Sequence, residues 1–119
     1  MKNKLDDNKP IYQQIKEFIE DAIINNTIKV GERVPSTNEL AKFYNINPAT
    51  ARQGMNELAG EKILRKQRGV GMFVTENAKE ILIENRKKQF YDAYIVPLKS
   101  EAEKLQISTD QLINMLKEE

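Results

Sequence analysis

The chain has 119 residues, 39% of them hydrophobic and 31% charged, and its formal net charge is only +1. That length suits about one domain with a modest core and an appendage. It contains neither cysteine nor histidine, which excludes disulfides, thiol nucleophiles, a histidine general base and the usual zinc or haem ligands. The remaining lysines and carboxylates are spread along polar helix faces, so no enzyme activity, no metal and no cofactor are expected. Apolar runs reach about four residues, too short for a membrane span or a secretory signal. The expectation is therefore a cytoplasmic protein without membrane partners.

In chain order, Lys2 to Lys9 is polar and charged and reads as a frayed arm. Pro10 opens an amphipathic helix with Ile11, Ile15, Phe18, Ile19, Ala22 and Ile23 at helical spacing, ending near Asn25-Asn26. A connector follows from Thr27 to Arg33, with a turn at Val30-Gly31. Ser36 is then a helix N-cap whose oxygen can accept a backbone N–H, and Glu39, three residues on, can return the bond as a capping box. The helix this starts is expected over Thr37 to Tyr44, burying Leu40, Ala41 and Phe43. Eleven residues after Ser36 a second start appears, with Asn47 as cap and Pro48 at the first helical position. Helices that start this close need a tight turn, here Tyr44-Asn45-Ile46. The spacing is that of a helix-turn-helix, whose second helix is presented to a DNA groove.

That second helix should run from Pro48 to about Glu61, with Ala51, Met55 and Leu58 inward. Ala49, Thr50, Arg52, Gln53 and Asn56 are left on the outside or the flanks. Ile63 to Arg68 reads as a strand with a basic tip, Gly69-Val70-Gly71 as the turn, and Met72-Phe73-Val74 as the return strand. The glycines suit the positive φ angles of a tight hairpin and would equally let backbone approach a phosphate or a minor groove, and both can hold. A two-stranded ribbon is marginal alone, so it must lean on the helices as a wing. Charge points the same way. Residues 1–75 carry 12 Lys and Arg against 9 Asp and Glu, and residues 76–119 carry 7 against 9. The excess lies between Pro48 and Thr75, where Arg52, Lys62, Arg65, Lys66 and Arg68 face only Glu57 and Glu61. Charge alone would also fit an ordinary surface; its coincidence with the helix-turn-helix favours an electrostatic footprint for nucleic acid.

From about Asn77 the sequence is helix-rich and charged. Ala78, Ile81, Leu82, Asn85, Tyr91, Tyr94, Ile95, Leu98, Ala102 and Leu105 form an interrupted apolar stripe, which Pro97 should kink or break. Ser108 and Gln111 form another capping box before a last helix with Leu112, Ile113, Met115 and Leu116. So small a segment cannot build its own core. Ile81, Leu82, Tyr91, Tyr94, Ile95 and Leu98 are therefore expected to pack on a second copy of the chain, the alternative being a monomer whose tail folds back. The expected fold is mainly α with a small β-hairpin. It comprises a winged helix-turn-helix domain over 10–75 and a two-helix dimerisation segment over 76–119.

With these residues in view, the chain resembles the GntR family of bacterial transcription regulators. Pro10 to Ile15 resembles the family's opening helix. Val30-Gly31-Glu32-Arg33-Val34-Pro35-Ser36 is similar to its P-G-x-x-L-P-S connector, with two conservative changes. Leu58 to Leu64 and Arg68 to Val74 are similar to its recognition-helix end and wing. The short tail, above all Leu98 to Leu116, resembles the YtrA-like branch, in which about two helices serve dimerisation. The resemblance implies a dimeric repressor of double-stranded DNA with an inverted-repeat operator, in that branch commonly at a transporter operon. The residues themselves place the expected DNA contacts at the first helix start (Ser36, Thr37, Asn38), along the second helix (Asn47, Ala49, Thr50, Arg52, Gln53, Asn56) and on the wing (Lys66, Arg68, Gly69, Gly71). Family members often carry arginine where this chain has Asn38 and Pro48; only Arg52 keeps it. A winged helix serving protein contact is the alternative class, against which the basic wing argues. No residue pattern points to a small-molecule effector.

Overall fold

The computed structural model describes residues 5–118. Helix α1 (Ile11–Ile24) follows Pro10, whose φ of −54° already suits helix entry. Its buried face carries Ile15, Ile19, Ala22 and Ile23 at helical spacing. Gln14 is buried too, and its amide organises the preceding chain. The side-chain oxygen accepts the Asp6 N–H at 2.7 Å, and its NH2 donates to the carbonyls of Asp6 at 2.5 Å and Lys9 at 3.0 Å. Of the arm expected to fray, residues 2–4 lie outside the described residues. Residues 6–9 are tied to α1 by this amide, and Leu5 packs on the core.

Helix α2 (Thr37–Tyr44) begins at the Ser36 capping box and α3 (Pro48–Gly60) at Asn47, whose side chain accepts the Ala49 N–H at 2.8 Å. Between them Asn45 adopts the left-handed conformation at φ 56°, which asparagine tolerates better than most side chains. One core expectation is corrected. Phe43 is 57% exposed, and Tyr44 is taken inside instead. Tyr44 stands four residues after Leu40 and three after Ala41, and its ring meets Phe18 at 5.4 Å. Helices α1 and α3 pack closely at Gly54, where a Cβ would lie 2.7 Å from the Tyr12 carbonyl oxygen.

Strands β1 (Leu64–Gln67) and β2 (Gly71–Val74) form the antiparallel hairpin, with Leu64 opposite Val74 and Lys66 opposite Met72. Leu64 and Val74 are buried with Ile63, Met55 and Leu58, which is how the hairpin leans on the helices. The connector supplies a further edge. The N–H groups of Gly31 and Val34 donate to the carbonyls of Val74 and Met72, and Val74 N–H donates to Glu32. Arg33 thereby bridges to Phe73, so the ribbon is partly three-stranded.

Helix α4 (Ala78–Phe90) places Ala78 and Leu82 in the same core, with Ile81 half-buried against it. Leu82, at 1% exposure, is thus a core residue and not part of a dimerisation face, a correction to the sequence expectation. The chain divides into units Met1–Ile83 and Glu84–Glu119, whereas the expected boundary followed residue 75. The buried Ala78 and Leu82 account for the difference.

In the second unit, Pro97 does not end the helix. A π turn (Tyr91–Ile95) precedes α5 (Val96–Lys104), and the Val96 N–H bonds the carbonyl of Tyr91, five residues back. The wider turn opens the α-helical ladder just where the proline ring arrives. The end of α5 turns through Gln106 at φ 58°, with Ile107 N–H donating to Ala102, and the Ser108 capping box starts α6 (Thr109–Lys117). Among the described residues no helix is long and apolar enough to cross a membrane.

Candidate nucleic-acid interface

Three pieces of the first unit wall a single concavity. The start of α2 contributes Pro35 to Asn38, α3 contributes Arg52, Met55 and Asn56, and the hairpin contributes Lys66, Gln67 and Gly69 to Met72. Eight of the residues expected at a DNA interface therefore meet in one place: Ser36, Thr37, Asn38, Arg52, Asn56, Lys66, Gly69 and Gly71. Five do not line it. Ala49 and Gln53 are exposed on α3, Thr50 is half-buried there, and Arg68 is exposed at the wing turn. Asn47 uses its side chain as the α3 cap, so its oxygen is already engaged.

Ser36 is similarly occupied. Its hydroxyl accepts the Glu39 N–H and its own N–H donates to Glu39 Oε1, each at 3.0 Å. What α2 offers an anion is therefore the N–H groups of Thr37 and Asn38, which no intrahelical carbonyl can accept. The Ser36 N–H and hydroxyl hold the Glu39 carboxyl below the usual carboxylate range; burial opposes this and Arg33 adds to it.

The distribution of charge on α3 is more favourable than its composition. Glu57 and Glu61 lie one turn apart and both reach Lys16 of α1, Glu57 at 3.5 Å and Glu61 in a hydrogen bond. Burial works to lower the Lys16 pKa, but the hydrogen bond and charge of Glu61, with Glu20 and Glu57, override it and raise the value. The acidic residues that seemed to oppose Arg52, Lys66 and Arg68 are thus engaged by α1.

The hairpin is built for its position. Gly69 has φ 79°, with open space where a Cβ would project, so conformation alone requires glycine there. Gly71 has φ 142°, and the side chain of Arg33 lies across it. Arg65 stacks on Phe73 at 5.0 Å. Arg33 was absent from the sequence-based candidates because nothing local signals its place; only the bridge to Phe73 brings it to the wing.

The chain matches the family model described as bacterial regulatory proteins, gntR family, over residues 11–74. It is similar to the HTH-type transcriptional repressor YtrA of Bacillus subtilis (strain 168), at 36% identity over 77 residues, covering 65% of this chain and 59% of that repressor. The chain thus spans about three fifths of that relative's length. Among solved structures it resembles a GntR family transcriptional regulator from Listeria monocytogenes, with 34% identity and a TM-score of 0.78, covering 95% of this chain and 97% of that one. It also resembles BusR of S. agalactiae in complex with its busA-promotor DNA, with 30% identity and a TM-score of 0.60, covering 89% of this chain and 52% of that one.

Proposed function

The chain belongs to the GntR family of bacterial regulatory proteins, a family of DNA-binding transcriptional regulators and not of enzymes, and on that premise we propose that it is a dimeric repressor reading an inverted-repeat operator through the concavity between α2, α3 and the wing. The observation that carries this is the convergence of Arg52, Lys66 and the free helix start of α2 in one concavity, with Glu57 and Glu61 drawn away to Lys16. In this reading α3 enters the major groove, where Arg52 matches the paired acceptors of a guanine. The amides of Asn38, Gln53 and Asn56 suit adenine, so the half-site is rich in A·T around few G·C pairs. The wing backbone at Gly69 and Gly71 approaches the minor groove. Lys66 and Arg68 meet phosphates. Replacing either with alanine should lower the slope of log affinity against log salt by about one and leave base preference unchanged. A shifted base preference would refute the phosphate role.

The second unit supports the dimer. Phe90, Tyr91, Tyr94, Leu105 and Leu116 are each more than half exposed, and Leu98 is 39% exposed. Apolar surface on this scale in so short a unit suits burial against a second copy. The proposed face includes Tyr91, Tyr94, Ile95 and Leu98 from the sequence expectation. A two-fold pair would set its α3 helices roughly 34 Å apart or a multiple of it, to read one face of DNA. The resemblance to YtrA-like regulators makes a transporter operon the proposed target.

Sedimentation at micromolar concentration should give a dimer, and the full inverted repeat should bind more tightly than one half-site. A monomer that binds both equally well would overturn the dimeric reading.

A further inference from the structure

We propose that Arg33 is a positioning residue that braces the wing against the start of α2, with Glu39 as its anchor, and so fixes the spacing between the two walls of the concavity. The inference rests on the DNA-binding reading above and adds to it a residue outside the concavity's lining. The Arg33 backbone is held in place by its bridge to Phe73. Its aliphatic chain crosses Gly71 so closely that a Cβ there would lie 3.1 Å from Cδ and 3.3 Å from Cγ. Beyond that crossing, Nη2 lies 3.5 Å from Glu39 Oε1, the same oxygen that accepts the Ser36 N–H. One side chain therefore spans from the glycine that begins β2 to the capping box that starts α2. Both Gly71 and Ser36 line the concavity, one from the hairpin and one from the start of α2.

The side chains of the pair are 47% and 56% exposed. An ion pair so exposed adds little to global stability; what it constrains is orientation. A wall that must be re-aimed for each binding event costs affinity, whereas a held wall does not. Glycine at position 71 belongs to the same device, since φ 142° strains any L side chain and a Cβ there would press on the overlying arginine.

The test uses the full chain and an operator selected from random DNA. Arg33→Ala should weaken operator binding about three- to fivefold, the range of an exposed pair, with an unchanged salt slope. Glu39→Gln should do the same, because glutamine keeps the capping acceptor but loses the charge. The double variant should bind no worse than either single one, and Arg33→Lys should recover part of the loss. If Arg33 instead touches a phosphate, its removal lowers the salt slope by about one and costs as much in the Glu39→Gln background. Either result, or unchanged affinity, overturns the brace. Amide exchange in the free protein supplies a readout that needs no operator. The Val34 and Val74 amides, which tie the connector to β2, should exchange faster in Arg33→Ala while those of α3 do not. Equal rates overturn the brace. If the wild-type chain selects no sequence, the regulatory reading fails, and the exchange rates still decide this one.

Discussion

A Gly54→Ala variant is expected to lose about 2 kcal/mol of stability and to melt roughly 10 °C lower. The added methyl would sit 2.7 Å from the Tyr12 carbonyl oxygen and 3.5 Å from the Lys16 nitrogen, which are backbone atoms that cannot rotate away. Helices α1 and α3 must then separate, loosening the layer that includes Ile15, Met55 and Leu58. Alanine is the better helix former by about 1 kcal/mol, so the observed loss is what remains after that gain. Gly60, near the end of the same helix, is the internal control. Nothing lies within 4 Å of its missing Cβ, and Gly60→Ala should melt at the wild-type temperature or a few degrees above. Thermal unfolding followed by circular dichroism checks both. Equal melting of the two variants would mean that the helices are not in contact at Gly54.

The second large effect concerns binding. Arg52→Ala should weaken operator binding by about 1–3 kcal/mol, relax selection at one base pair and leave melting unchanged. Arg52 is exposed on α3 and lines the concavity, so its removal leaves no hole in the core. Titration of matched and mismatched operators separates loss of base reading from loss of general attraction. Unchanged operator affinity would remove Arg52 from the interface.

The helix starts were legible in the sequence because caps are local chemistry. Ser36 with Glu39, Asn47 with Pro48, and Ser108 with Gln111 each announce a start within four residues, and the structure places α2, α3 and α6 there. The hairpin was legible for the same reason, through its two glycines. What failed depended on distant partners. Leu40 has two aromatic neighbours at helical spacing, Phe43 and Tyr44, and only the position of Phe18 decides between them. Leu82 continues a stripe that periodicity assigns to one face, yet its first members join the common core of the first unit while Tyr91 and Tyr94 stay exposed. Pro97 signalled a kink or break, and here the answer was local: the widened turn just before it lets the helix continue. Of the concavity's lining, Ser36, Thr37, Asn38, Arg52, Asn56, Lys66, Gly69 and Gly71 were singled out by the sequence, while Ala49, Thr50 and Gln53 on α3 lie outside it. Arg33 was not singled out, because its role arises from a pairing some 40 residues away.

The Lys16 cluster also bears on how such a protein would find its target. A chain of net charge +1 exerts little attraction on DNA beyond the Debye length of about 8–10 Å. Within that range it would behave as an oriented dipole, because Lys16 offsets part of the charge of Glu57 and Glu61, while among the described residues no ion pair offsets Arg52, Lys66 or Arg68. On the proposed reading of the concavity, encounters with DNA would therefore be turned, more than pulled, into the productive orientation.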